Sequence, residues 1–271
     1  MSRKKEAILN FIPTVWNNTS AFLKSLMAFS EYYHAKSVVK KHGFENGLPV
    51  IDLLDLFPNF QSSITSYSFL DGTSHTIDLF LLKELARQIP DCNYLEIGSW
   101  RGESLMNVVP ECKSAVAISL SKDEMRSMGF NERVIEMDGF FLQQFPQLKR
   151  IGHNSQTFDF ASLNQTFDLI FVDGDHTYQG VKADTANVFK LLKDENSIIV
   201  WHDCGNNYED MRADVIAGIL DGVPADKRNS IYRVSNTLCG IYFPKKINTH
   251  QYTPIARPNK SFELTIKANK V

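Results

Sequence analysis

A chain of 271 residues, 43% hydrophobic and 22% charged, can bury a full core and has the balance of an ordinary soluble globular protein. Its formal net charge of -2 gives no general attraction to nucleic acid or to an anionic membrane, so neither is expected as a partner. No run of about 20 apolar residues is present to span a membrane, nothing near Ser2-Arg3-Lys4-Lys5 reads as a signal peptide, and Cys92, Cys112, Cys204 and Cys239 form no CxxC pair, which reads as reduced thiols in a cytoplasmic protein.

Residues 6 to about 42 carry apolar side chains at helical spacing: Ile8, Phe11, Ile12, Val15 and Trp16, then Phe22, Leu23, Leu26, Met27 and Phe29. Two amphipathic helices are expected, broken near residues 17–20. They either pack onto the main domain or serve as a substrate lid, a homo-oligomer contact or a membrane-surface helix. Residues 43–74 are rich in Gly, Pro, Asn, Ser and Asp and read as a connector, with about one helical turn in the apolar insert 50–57. Residues 1–75 therefore form an extension, residues 76–244 the main domain and residues 245–271 a polar, basic surface tail.

Within the main domain, Ile77, Phe80, Leu81, Leu85 and Ala86 predict a helix over 76–88, stopped by Pro90-Asp91. Tyr94 to Ile97 is a short strand running into a turn with Gly98 and Gly102, which lets backbone pass close to a ligand. A second strand, 115–119, ends at Ser119. The apolar run Leu169 to Val172 suits a strand covered on both faces, and it stops at Asp173-Gly174-Asp175-His176. A helix over 181–192 follows, then a second buried strand, 197–201, ending in His202-Asp203-Cys204. In open α/β sheets ligands bind beyond the carboxyl ends of the strands, where Asp173, Asp175, His176, His202 and Asp203 fall. Asp175 can equally cap the following helix. A helix over 210–220 and an antiparallel hairpin, 231–234 with 238–243, close the domain.

Three of these stretches carry a family resemblance. Leu95-Glu96-Ile97-Gly98, with Gly102 four residues on, resembles the first motif of class I S-adenosylmethionine-dependent methyltransferases. Asp173-Gly174-Asp175-His176-Thr177-Tyr178 resembles the DGDHxY segment of the methyltransferase-24-like branch, and Ile198 to Asp203 is similar to that branch's next strand. The similarity runs from about residue 76 to residue 243. It implies a Rossmann-like fold: a seven-stranded, mostly parallel sheet with a C-terminal antiparallel hairpin, here with a helical N-terminal extension. It also implies S-adenosylmethionine as cofactor. Glu96 would help hold the amino-acid end directly or through water, with Gly98, Ser99, Gly102 and Asp173 around it. Ser119 stands where the family usually bears a ribose-binding acid, and Asn154 where relatives place an aspartate. Either can still bind ribose or adenine by neutral hydrogen bonds.

The resulting expectation is methyl transfer to a hydroxyl of a small molecule or glycan. Asp173 and Asp203 converge from neighbouring strands and would hold Mg²⁺ or another divalent metal that acidifies the hydroxyl, unless the pair is simply hydrogen-bonded without a metal. Asp175 or His176 would take the proton, with His202 beside them. Two other functions fit the same residues. One is a metal-dependent hydroxylase using His176, His202 and an aspartate as a two-histidine, one-carboxylate set. The other is a binding protein that has lost the cofactor.

Overall fold

A computed structural model describes residues 5, 10, 11 and 13 and residues 15–142, 145–253 and 255–270. An eight-stranded sheet runs through its centre. Its strands are β1 (Val50–Ile51), β2 (Asn93–Ile97), β3 (Ser114–Ser119), β4 (Leu148–Gly152), β5 (Leu169–Val172), β6 (Ile198–Trp201), β7 (Ile231–Val234) and β8 (Gly240–Tyr242). They lie in the order β1-β7-β8-β6-β5-β2-β3-β4. β8 pairs antiparallel with both β6 and β7, and every other pairing is parallel. Seven strands match the expected sheet. The eighth, β1, comes out of the connector and pairs with β7 through Val50↔Arg233 and Ile51↔Val234. Its sequence is too short to show any periodicity, which is why it read as connector.

Helices cover both faces. α1 (Thr19–Lys41), α7 (Tyr178–Val188) and α8 (Ala213–Gly222) lie on one. α3 (Thr76–Gln88) and α4 (Glu103–Val108), with the single turn α2 (Leu53–Leu56), lie on the other. The short α5 (Lys122–Ser127) and α6 (Glu132–Glu136) follow β3. Strand alternation explains the two cores. Leu95, Ile97, Ile170 and Val172 point to the α7 and α8 side, and Tyr94, Leu169 and Phe171 to the α3 and α4 side, all of them buried.

The helical extension docks by one end only. Ala35, Val38 and Val39 of α1 are buried, and His42 just beyond it bonds Asp221 of α8 at 2.7 Å. Asp221 also accepts from Tyr178 at 2.6 Å. The remaining two-thirds of α1 leaves Leu23, Leu26, Met27, Phe29 and Tyr33 exposed, with Trp16 just before it. Of the first expected helix, Ile8 and Ile12 lie outside the described residues; Asn18 forms a turn before α1. The tail is tied down more firmly than its composition suggested. His250 bridges to Val50, and Lys260, half-buried, donates to Asp52 at 2.8 Å and to Asn236 at 3.1 Å.

Candidate active site

β2 and β5 are neighbours whose crossover connections leave in opposite directions along the sheet, so a crevice opens above their carboxyl ends. Gly98 makes the first turn with φ +84, a left-handed conformation natural only to glycine. Its N–H donates to Ile118 at 2.9 Å, and a Cβ on it would collide with the Asp173 carbonyl group and come within 2.9 Å of Gly174 Cα. The glycine is thus demanded by the packing of two adjacent turns. At Gly102, also at positive φ, a Cβ would instead run into the Leu142 side chain.

A cavity of about 870 Å³ fills the crevice. Gly98, Ser99, Gly102, Ser119, Asn154 and Asp173 all line it, as do Asp175, His176, His202 and Asp203. One end is apolar, with Ile118, Leu120, Met125, Met128, Phe130 and Val134. The other carries Asp173 and Asp203. Ser119, at the end of β3, and Asn154 and Gln156, beyond β4, offer uncharged hydrogen-bonding groups, with the Ser99 hydroxyl donating to Ser119 at 3.2 Å.

The acidic end is neutralised from within. His202 Nδ1 lies 3.1 Å from Asp173 Oδ1 and 3.1 Å from Asp203 Oδ1, while Nε2 lies 3.2 Å from Asp78 Oδ2. Burial alone would push this imidazole's pKa down. Asp173 and Asp78 outweigh it and hold the value well above the ordinary one, so the ring keeps its proton at neutral pH. Arg212 adds a second cation, 2.8 Å from Asp203 Oδ2. Asp203 itself sits at φ +56, a strained value for a non-glycine residue.

This arrangement bears on the expected metal. The space between Asp173 and Asp203 faces an imidazolium, and the far oxygen of Asp203 faces a guanidinium, so a divalent ion there would meet two cations. Among the described residues no group of three or more His, Cys, Asp or Glu is placed to hold an ion. The donor set does not fit a divalent metal, and no step below passes through one. The two-histidine set is not assembled either. Both His202 nitrogens face carboxylates, and the Asp175 carboxylate accepts from the Thr177 N–H at 2.9 Å and its hydroxyl at 3.0 Å, shaping the turn into α7.

His176 is different. Its ring is part-exposed at the cavity mouth, with Nδ1 3.7 Å from Asp203 Oδ2. Glu96, by contrast, does not line the cavity. It shares the α3 and α4 face with Tyr94, is fully buried, and accepts from the Tyr94 hydroxyl at 2.7 Å and the Ser104 hydroxyl at 2.6 Å. Burial lifts its pKa to about 8.

Several contributors come from segments the motifs did not flag. Asp78, buried in α3, accepts from the backbone N–H groups of His75 at 3.0 Å and Leu238 at 2.9 Å besides facing His202. An acid in the first turn of α3, directly before the apolar run 79–82, was the available signal. Gly72, Thr73, Ser74 and His75 roof the cavity, and the Ser74 hydroxyl donates to Asp173 at 3.3 Å. Arg101, buried and stacked 4.0 Å from the Trp100 ring centroid, holds that roof by donating to the Asp71 carbonyl at 2.9 Å. Trp100, packed against Gly72, and Arg101 therefore fasten the connector over the turn.

Residues 95–204 match the family model described as a methyltransferase domain, of the methyltransferase-24 kind. No curated protein matches the chain. Similar solved structures include the O-methyltransferase from Bacillus cereus in complex with SAH, with a TM-score of 0.42 at 16% identity over 64% of this chain and 81% of that one. Another is the O-methyltransferase TomG from Streptomyces achromogenes, involved in tomaymycin synthesis and in complex with SAM: 0.42 at 16% identity over 63% and 80%. A third is the N-methyltransferase NodS from Bradyrhizobium japonicum, 0.38 at 15% identity over 61% and 92%. Likenesses of this strength say nothing about what the chain binds. The match to the methyltransferase domain model spans the glycine turn and both acidic strand ends.

Proposed function

We propose that the chain methylates a hydroxyl of a small molecule or glycan with S-adenosylmethionine as methyl donor. The observation that carries this reading is the two-ended cavity: an apolar end suited to adenine, neutral hydrogen-bonding groups suited to ribose, and an acidic end suited to a cationic amino acid. Ser119 and Asn154 would hold the ribose or adenine edge, and Asp173 the amino-acid end. Glu96 acts from behind, fixing Ser104 in the cavity wall. When bound, S-adenosylmethionine supplies an electrophilic methyl on a sulfonium. His176, at the cavity mouth and steadied by Asp203, accepts the proton of the attacking hydroxyl. The imidazolium of His202 keeps Asp173 and Asp203 from repelling each other and so fixes both strand ends.

Calorimetry with S-adenosylmethionine is the first test; no binding would remove the reading. His176→Ala should lower kcat by about 100-fold or more while leaving cofactor affinity within about twofold. A variant as active as wild type would exclude His176 as base. Because two side-chain cations serve the acidic pair, EDTA treatment or added Mg²⁺ should change neither Tm nor turnover. A Tm raised by Mg²⁺ or Mn²⁺ would return an ion to Asp173 and Asp203.

Among the described residues no helix is long and apolar enough to cross a membrane. Four buried, unpaired thiols support a cytoplasmic location. The exposed apolar side chains of α1 support a homo-oligomer contact there. Sedimentation should show a dimer that Leu26→Lys with Phe29→Lys dissociates; a monomeric wild type would exclude it.

A further inference from the structure

A second cavity, of about 620 Å³, adjoins the first, and Asp175 and His176 line both. It lies between α1 and the start of α7. Ser30, Glu31 and His34 come from α1, Gln179 from α7, Arg212 from the cap of α8 and Asp214 from its first turn. Every lining side chain carries a polar group, and the rings of His34, His176 and Tyr178 add flat faces, His34 standing edge-on to Tyr178 with centroids 5.1 Å apart.

The charges in this groove are unequally spent. Arg212 is committed to Asp203 at 2.8 Å and to Asp214 at 3.3 Å, and Asp175 to Thr177. Ser30, Glu31 and Gln179 have no partner among the described residues. The open groups are therefore a hydroxyl, a carboxylate and an amide, with no unspent Lys or Arg cation. A phosphate or carboxylate entering here would meet Glu31, Asp175 and Asp214 against one occupied guanidinium. A molecule dense in hydroxyls meets the opposite situation. A carboxylate accepts from two adjacent hydroxyls, an amide both donates and accepts, and ring faces cover the C–H side of a sugar.

We propose that this groove anchors the methyl acceptor, and that the acceptor is a carbohydrate unit without anionic groups, a neutral or amino sugar, one hydroxyl of which reaches His176 through the shared wall. This rests on the methyl-transfer reading, and it assigns α1 a share of the substrate site. The acceptor oxygen forms the new bond to the methyl carbon, the carbon–sulfur bond breaks with its electron pair left on sulfur, and the hydroxyl proton goes to His176.

The test uses the full chain with S-adenosylmethionine and a panel of neutral methyl glycosides, methyl glycosides of amino sugars, uronic acids, sugar phosphates and a catechol, reading S-adenosylhomocysteine release and product mass. Transfer to a neutral or amino glycoside and not to the anionic sugars is expected. With that glycoside, Glu31→Gln and Gln179→Ala should each raise KM by about tenfold with cofactor affinity unchanged. Both positions are exposed, so both variants should fold. Transfer only to the catechol or the anionic sugars, no transfer to any glycoside by protein that binds the cofactor, or an unchanged KM in both variants would overturn the assignment. Absence of cofactor binding in calorimetry marks the different failure, that of the methyl-transfer reading itself.

Discussion

Gly98→Ala should lower the unfolding free energy by about 3 kcal/mol or more, and Gly98→Val should fail to accumulate as folded protein. Two costs add at this one position. A left-handed φ of +84 costs a non-glycine residue roughly 1–2 kcal/mol. The added methyl must also displace the Asp173 carbonyl carbon, 2.6 Å away, and that atom is backbone of a residue whose N–H donates to the Ile97 carbonyl at 2.8 Å, not the end of a flexible chain. The motif alone reads Gly98 as a place where backbone passes close to a ligand; the geometry puts the damage of a side chain there in the fold first. Urea titration of wild type and Gly98→Ala checks it, and coincident midpoints would show that the two turns are not packed this way.

Stability should fall as pH rises from about 5 to 9, and Glu96→Gln should remove much of that fall. Burial lifts Glu96 from 4.5 to about 8, with Asp173 adding to the shift against hydrogen bonds from Ser104 and Tyr94. It lifts Asp184, beneath the turn before α7, from 3.8 to about 7. Between the ordinary and the folded values the native protein holds protons the unfolded chain has released, so unfolding becomes easier with each step in pH. For Glu96 the loss is on the order of 5 kcal/mol, complete a little above pH 8. His202 works in the same direction: its raised pKa contributes stability that is full below about 6.5 and is lost as pH passes the folded value. At the acid end the sign reverses. Burial would raise Asp221, but His42, Tyr178 and Lys182 outweigh it and hold it near 2, so stability is lost as pH falls below the ordinary 3.8. Thermal melts across this range should therefore peak between about pH 4 and 6. Equal slopes for wild type and Glu96→Gln above pH 5 would show that Glu96 is not the buried acid described.

Much of the sheet could be read from residue types because its strands are short apolar runs closed by unmistakable stops. Leu169-Ile170-Phe171-Val172 is apolar at every position since both faces are covered, and Pro90 ends α3 within two residues of its last turn. The strand ends identify Ser119, Asp173 and His202 as cavity residues for the same reason: position along a parallel strand decides which end a residue occupies. Facing is harder. Glu96 sits one residue before a strand end and alternates with Ile97, which puts it behind the wall, but the glycine motif drew attention to its charge instead of its parity. The partners of Asp78, Arg212 and the α1 residues were illegible because they are brought together by tertiary packing between segments far apart in the chain.

β1 sets an order of events on the folding of this chain. Val50 lies almost at the beginning of the folded body, and its partner Arg233 almost at the end. A growing chain leaves the ribosome with the strand, the roof segment and the apolar helix α1 all waiting for surfaces not yet synthesised: β7 for β1, and α8 for α1. Such closure of distant segments comes late and is slow, because loop entropy is lost before any contact forms. The β2-to-β6 core needs no segment outside itself and can assemble first, and the N-terminal segment then wraps over it as the final act. The last parts to fold are the ones that roof the cavity and flank the groove, so a chain caught before that step would own the sheet without its β1 edge and no enclosed site.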